Sequence, residues 1–184
     1  TCVPIRINTF HGEVWAIRSG WQRKTLKLFD QLIGLLATTI LVVSSSQQKF
    51  LEKEGILPEG KATIIGAGSI CGIDSARFHP DQNVKIKMRN NLGIAQEATV
   101  ILFLGRLNRD KGMLDLAAAF DTLAKKHKDL VLLLVGAQED VAYSQIQEIC
   151  HAELDRLHYV SFTPTPELYM MAADIFCLPS YREG

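Results

Sequence analysis

Between positions 105 and 112 the chain reads Gly105-Arg106-Leu107-Asn108-Arg109-Asp110-Lys111-Gly112, three cations in eight residues just ahead of an amphipathic stretch. A helix N-terminus carries partial positive charge and therefore favours anions. Asp110 suits that position as a cap, whereas Arg106, Arg109 and Lys111 do not. A bound phosphate would reconcile them, accepting hydrogen bonds from the helix amides and the cations together. Gly105, lacking a side chain, would let the backbone approach such a ligand closely. The segment is equally compatible with a solvated turn whose basic side chains point outward.

Two further residues have the chemistry for a polar ligand. Glu183 follows a short apolar run and carries a carboxylate that can accept hydrogen bonds from sugar or ribose hydroxyls. His11, in Thr9-Phe10-His11-Gly12, follows a stretch with Ile5 and Ile7 alternating that reads as the end of a strand, and it can donate or take a proton. Taken singly, each reads more readily as an exposed loop carboxylate and a structural histidine. Gly66-Ala67-Gly68-Ser69-Ile70-Cys71-Gly72 is not a dinucleotide fingerprint, because the Gly three places after the second is missing and no helical pattern opens before Pro80. The other histidines have no partner at ligand spacing, and Asp74 reads as a turn former. No metal site is expected.

The elements that must position these residues alternate. Helical spacing covers 21–36, and a continuous β-branched strand follows at 39–43. Ser44 begins a cap for a helix over 47–54, and 62–80, with Gly66, Gly68, Gly72 and Pro80, reads as an irregular connector. The second half is more regular. Strands are expected at 100–104, 130–135, 159–162 and 175–178, with helices at 112–126, 142–154 and 166–173. In the first of these helices Leu114, Leu116, Ala117, Phe120 and Leu123 should face inward. Strands that are apolar throughout, alternating with helices, predict an α/β fold with one parallel, Rossmann-like sheet covered on both faces. Ligands of such sheets bind beyond the carboxyl ends of the strands, where residues 105–112 and Glu183 fall.

Composition narrows the classes. Hydrophobic residues make up 47% of 184, enough for a packed core. Twenty basic residues balance twenty acidic ones, so bulk charge gives no reason to expect nucleic-acid binding. The four cysteines lack metal or redox spacing, and Cys177, in an apolar run, is expected to be a buried thiol. Residues 32–43 are too short a run for a membrane span, which takes roughly 20 apolar residues. With no signal-peptide pattern in view, the expected setting is reducing and cytoplasmic.

Taken in order, these segments resemble the retaining family 4 glycosyltransferases of the GT-B fold. The resemblance rests on Phe103-Leu104-Gly105-Arg106 with Lys111-Gly112, then Leu132-Leu133-Leu134-Val135-Gly136. It continues through Glu167-Leu168-Tyr169-Met170-Met171-Ala172-Ala173-Asp174 to Pro179-Ser180-Tyr181-Arg182-Glu183-Gly184, with Gly72-Ile73-Asp74 and Thr9-Phe10-His11-Gly12 upstream. It implies a remnant of an N-terminal acceptor-side domain (1–62), an interdomain connector (63–80) and an incomplete nucleotide-sugar-binding domain (81–184). The implied reaction moves a hexose from a UDP- or GDP-sugar to an acceptor hydroxyl on a saccharide or lipid-linked molecule, in polysaccharide or glycolipid synthesis. Arg106 and Lys111, with Gly105, match the donor diphosphate site; Glu183 matches the first Glu of the signature, and His11 the histidine near the reacting sugar. No cofactor and no metal are implied. The chain is expected to be a fragment, inactive alone, of a cytoplasmic enzyme that works at the inner face of the membrane where its acceptor is lipid-linked. A sugar-nucleotide epimerase of the same architecture and a non-catalytic nucleotide-binding module are the alternatives.

Overall fold

The computed structural model describes residues 3–69, 72–151 and 154–181. The chain divides into two compact units, with the boundary between Ile73 and Asp74.

The first unit is a three-stranded parallel sheet of β1 (Ile7–Phe10), β2 (Thr39–Val42) and β3 (Ala62–Ile64), in that order. Helix α1 (Gly20–Leu36) joins β1 to β2, and α2 (Ser45–Lys53) joins β2 to β3. Ser44 caps α2 by accepting from the Gln47 amide at 3.1 Å, satisfying an amide that the first turn leaves unpaired. The core gathers Phe10, Trp15, Ile40, Val42 and Leu51 with Ile56 and Leu57. Trp15 donates to Asp30 of α1 at 2.7 Å, and the cations of Arg23 and Lys27 lie over its ring at 5.1 and 5.2 Å. The region from residue 62, which reads as irregular, opens with a strand: Ala62 is buried and pairs with Ile40. Three residues are too few to show a periodicity.

The second unit supplies the expected sheet. Strands β4 (Thr99–Leu104), β5 (Leu130–Val135), β6 (Leu157–Val160) and β7 (Ile175–Phe176) are all parallel, in the order β6-β5-β4-β7. Helices α3 (Gln82–Leu92), α4 (Met113–Ala124), α5 (Tyr143–Ile149) and α6 (Pro166–Ala172) cover it. Strand β5 shows why its sequence does not alternate. Leu130, Leu132 and Leu134 pack with Phe120 of α4 and Ile146 of α5, while Val131, Leu133 and Val135 pack on the opposite face with Leu92 of α3 and Tyr169 of α6.

Several boundaries move. β6 begins at Leu157, which is buried, and ends before Phe162, which is 78% exposed. β7 stops at Phe176, and Pro179, with no amide to donate, follows shortly after. α5 ends at Ile149 rather than 154. The inward face of α4 is Met113, Leu116, Ala117, Phe120 and Ala124; Leu114 is partly buried at one margin, while Leu123 at the other is 42% exposed. Among the described residues the fully buried thiol is Cys150, its pKa pushed up to about 11 by burial, and Cys177 is half-buried. Sequence reading assigned no element to α3, although Asp81 caps it by accepting from Asn83 and Val84 and Gly93 closes it in the left-handed region.

One buried cation ties α3 to the sheet. Arg89, 1% exposed, donates to the carbonyls of Ala172, Gln96 and Ala98 and to Asp174 at 2.6 Å. Asp174 also accepts from Lys85 and from the Val100 amide. Burial pushes the Asp174 carboxyl up, but these donors outweigh it and hold the group below its usual range. A buried guanidinium is tolerated here because its donors find acceptors.

Candidate functional site

Three loops leave the sheet of the second unit at its carboxyl edge and interlock: 105–112 after β4, 136–142 after β5 and 177–181 after β7. Leu107, fully buried, anchors the first to the second; its amide donates to Ala137, and its carbonyl accepts from Glu139 and Val141. The Arg109 amide donates to Asp140 at 3.1 Å. The Tyr181 amide donates to the Asp110 carbonyl at 2.9 Å, and its hydroxyl to Asp115 of α4 at 2.5 Å. That hydrogen bond to the Asp115 carboxylate raises the Tyr181 hydroxyl pKa.

Glycines permit the close approach of these loops. A Cβ on Gly136 (φ +147°) would lie 1.8 Å from the Gly105 carbonyl oxygen, and one on Gly112 (φ +68°) 2.1 Å from that of Pro179. No other residue fits either place. Gly105 differs, since a Cβ there would meet only the Phe103 ring and a Leu178 methyl at 3.7–3.9 Å. Packing within the protein does not demand its missing side chain. A ligand passing close to the backbone would.

The cations are arranged differently from the sequence expectation. Arg109–Lys111 form a short 3-10 turn, and its cap is Asn108, not Asp110: the Asn108 side chain accepts from the Lys111 amide at 3.0 Å. Gly112 then turns left-handed and α4 begins at Met113. The cations thus precede the helix by a turn, which lessens their conflict with its dipole. The protein also supplies an anion of its own. Arg106 donates to Glu139 at 2.7 Å, and Asn108 to the other oxygen of the same carboxylate at 2.6 Å. Both partners of that ion pair are accessible, Arg106 64% and Glu139 44% exposed. Lys111 is half-buried in the turn.

Gly105, Arg106 and Lys111 therefore share one loop at the carboxyl edge. His11 is exposed in the loop after β1, in the first unit. Glu183 lies outside the described residues. Sequence reasoning missed Asn108, Glu139, Asp115, Tyr181 and Ser180. The pair Glu139-Asp140 after a buried strand was a usable signal, since adjacent parallel strands bring their following loops together. Ser180 was not foreseeable: its hydroxyl is buried and has no partner among the described residues.

With this geometry in place, known proteins can be compared. The family described as glycosyl transferases group 1 matches residues 84–184, more than half of the chain and all three loops. The chain belongs to the group 1 glycosyltransferases. Among relatives of this group 1 glycosyltransferase chain is the capsular polysaccharide biosynthesis glycosyltransferase CapM of Staphylococcus aureus, 26% identical over 98% of this chain and 47% of that protein. Another is the lipopolysaccharide 1,2-N-acetylglucosaminetransferase of Salmonella typhimurium, 34% identical over 53% of this chain and 23% of that protein. Among solved structures, Anabaena Alr3699/HepE in complex with UDP superposes with a TM-score of 0.75 at 18% identity, covering 96% of this chain and 47% of that one. The two parallel α/β units are thus those of a GT-B glycosyltransferase fold. The chain spans about half the length of the first of these relatives or less.

Proposed function

We propose that this chain forms the donor side, with part of the acceptor side, of an enzyme that transfers a hexose from a nucleotide-sugar to an acceptor hydroxyl with retention of configuration. The observation that carries this reading is the family match across 84–184, because it runs through the interlocked loops at the carboxyl edge of the sheet. The donor class is supported by the Anabaena protein, whose structures hold UDP and UDP-glucose. Capsular polysaccharide and lipopolysaccharide relatives support a saccharide or lipid-linked acceptor, and a cytoplasmic site of action at the membrane follows from such an acceptor.

In this reaction the bond from the sugar anomeric carbon to the diphosphate oxygen breaks with oxocarbenium character. The acceptor hydroxyl oxygen bonds to that carbon on the same face, and the nucleoside diphosphate departs with the bonding electron pair and the charge it brings, its leaving oxygen taking up the hydroxyl proton. Arg106, Lys111 and amides of the 105–112 loop meet that charge, with no divalent metal required. Gly105 gives the diphosphate its approach. The family resemblance assigns Glu183 the role of contacting the transferred sugar and His11 that of the histidine serving its reacting end. Glu139 holds Arg106 until the donor arrives, so carboxylate and diphosphate compete for one guanidinium.

That competition gives the test. In calorimetric titrations of UDP and GDP into this chain, Glu139→Gln should tighten binding a few-fold, since an exposed ion pair is worth about 0.2–1 kcal/mol. Unchanged affinity would mean that Arg106 does not reach the diphosphate, and no binding of either nucleotide would remove the reading. Ser180→Ala separates ligand binding from packing. Removing an orphaned buried hydroxyl should leave the melting temperature unchanged or raised. A parallel loss of affinity would assign that hydroxyl to the donor.

A further inference from the structure

The loop after β6, residues 161–165, opens at the same carboxyl edge as the three interlocked loops but has little support of its own. Pro164 has no amide to donate, Pro166 opens α6, and Phe162 is exposed. Within the loop the Thr165 amide donates to the Thr163 hydroxyl at 3.2 Å. Further support arrives from 87 positions earlier in the chain. A terminal nitrogen of Arg77 donates to the Pro164 carbonyl at 2.8 Å and pairs at 2.7 Å with the carboxylate of Glu167, in the first turn of α6. The guanidinium beside it holds the Glu167 carboxyl below its usual range, so the pair is charged at neutral pH.

Arg77 is itself held in place. It follows closely on the Ile73–Asp74 boundary between the units, in a turn built on Asp74. The Asp74 carbonyl accepts from the Arg77 and Phe78 amides at 3.1 and 2.8 Å, and its carboxylate from the Ala76 amide at 3.0 Å. The guanidinium also lies over the Phe78 ring, 5.3 Å from its centroid. As a contribution to stability the ion pair is weak, because Arg77 is 43% exposed. As a strut it joins three segments: the end of the connector, the loop after β6 and the start of α6. β6 flanks β5, whose following loop carries Glu139, the partner of Arg106. Neighbouring strands stand roughly 5 Å apart, so the loop after β6 opens two strands, or roughly 10 Å, from the one after β4. A nucleoside leading from a diphosphate at 105–112 toward β6 would reach it.

We propose that Arg77 is a positioning residue for the donor nucleoside, setting the loop after β6 against which that nucleoside lies and tying it to the segment between the two units. The proposal rests on the reading of 105–112 as a diphosphate site. Calorimetric titrations of inorganic pyrophosphate and of UDP into wild type, Arg77→Ala and Arg77→Lys separate the two. Pyrophosphate reports on 105–112 alone, and UDP adds the nucleoside. Arg77→Ala should weaken UDP binding roughly two- to tenfold, the contribution of one ordinary hydrogen bond, and leave pyrophosphate binding unchanged. Arg77→Lys should recover part of the loss, because a single nitrogen makes both contacts. By reciprocity UDP, and not pyrophosphate, should slow hydrogen exchange at 76–78 in wild type, an effect lost in Arg77→Ala. UDP affinity unchanged in Arg77→Ala, an equal loss for both ligands, or exchange at 76–78 indifferent to UDP would overturn the proposal. Binding of neither ligand to wild type would instead remove the diphosphate reading, and the proposal with it.

Discussion

Helices α1 and α4 read alike in sequence and end in opposite environments. Both show apolar residues at helical spacing between two strands of a parallel sheet. α4 turns that face into the sheet and buries Met113, Leu116, Ala117, Phe120 and Ala124. α1, five residues longer, buries only Gly34 fully, packs the partly buried Leu26 on its core and sets Arg23, Lys27 and Asp30 around Trp15 of the preceding turn. Periodicity shows that a face exists and not what it meets.

Substitutions can break or sharpen that contrast. The largest effect is expected at Phe120, 1% exposed in the core under α4. Phe120→Ala should cost about 3–5 kcal/mol in chemical denaturation. A cost under ~1 kcal/mol would mean that α4 is no better anchored than α1.

Next comes the charged tie of the second unit. Asp174→Asn leaves the buried Arg89 guanidinium without its anion, at a cost of about 2 kcal/mol, the low side because Asp174 is itself 31% exposed. The sign with pH follows from the lowered carboxyl pKa. The stabilisation is complete above the unfolded value, near 4, and is lost as pH falls through the still lower folded value. Denaturation midpoints of wild type and Asp174→Asn should therefore differ at pH 7 and converge below about pH 4. A gap that widens on acidification would contradict the assignment.

Gly34→Ala should follow. Its Cβ would come within 2.6 Å of a Leu57 methyl and 3.3 Å of the Ile56 carbonyl, so overpacking should cost about 1–2 kcal/mol. The smallest effect is expected at Leu35, 74% exposed, where alanine should change stability by no more than about 0.5 kcal/mol. A large loss there would show α1 buried against something in the isolated chain.

The second unit was legible because long apolar strands and a strongly periodic α4 leave few alternatives. β4, β5 and the parallel pairing came directly from pattern. α3 was missed because, besides Leu92, its tie to the sheet runs through Arg89, a residue that reads as surface until Asp174, 85 positions away, is seen beside it. β3 was too short to read. At the site, the cation-rich loop stood out by composition, but Glu139 and Tyr181 reach it from other strands. Only strand order places them there.

The central claim is that the loop at 105–112 binds a nucleoside diphosphate. Calorimetric titration of UDP into the chain and into Arg106→Ala and Lys111→Ala tests it most directly. A charged hydrogen bond contributes roughly 1.5–3 kcal/mol, so each variant should bind about ten- to a hundredfold more weakly. Affinity unchanged in both single variants would contradict the assignment and leave the loop a solvated turn.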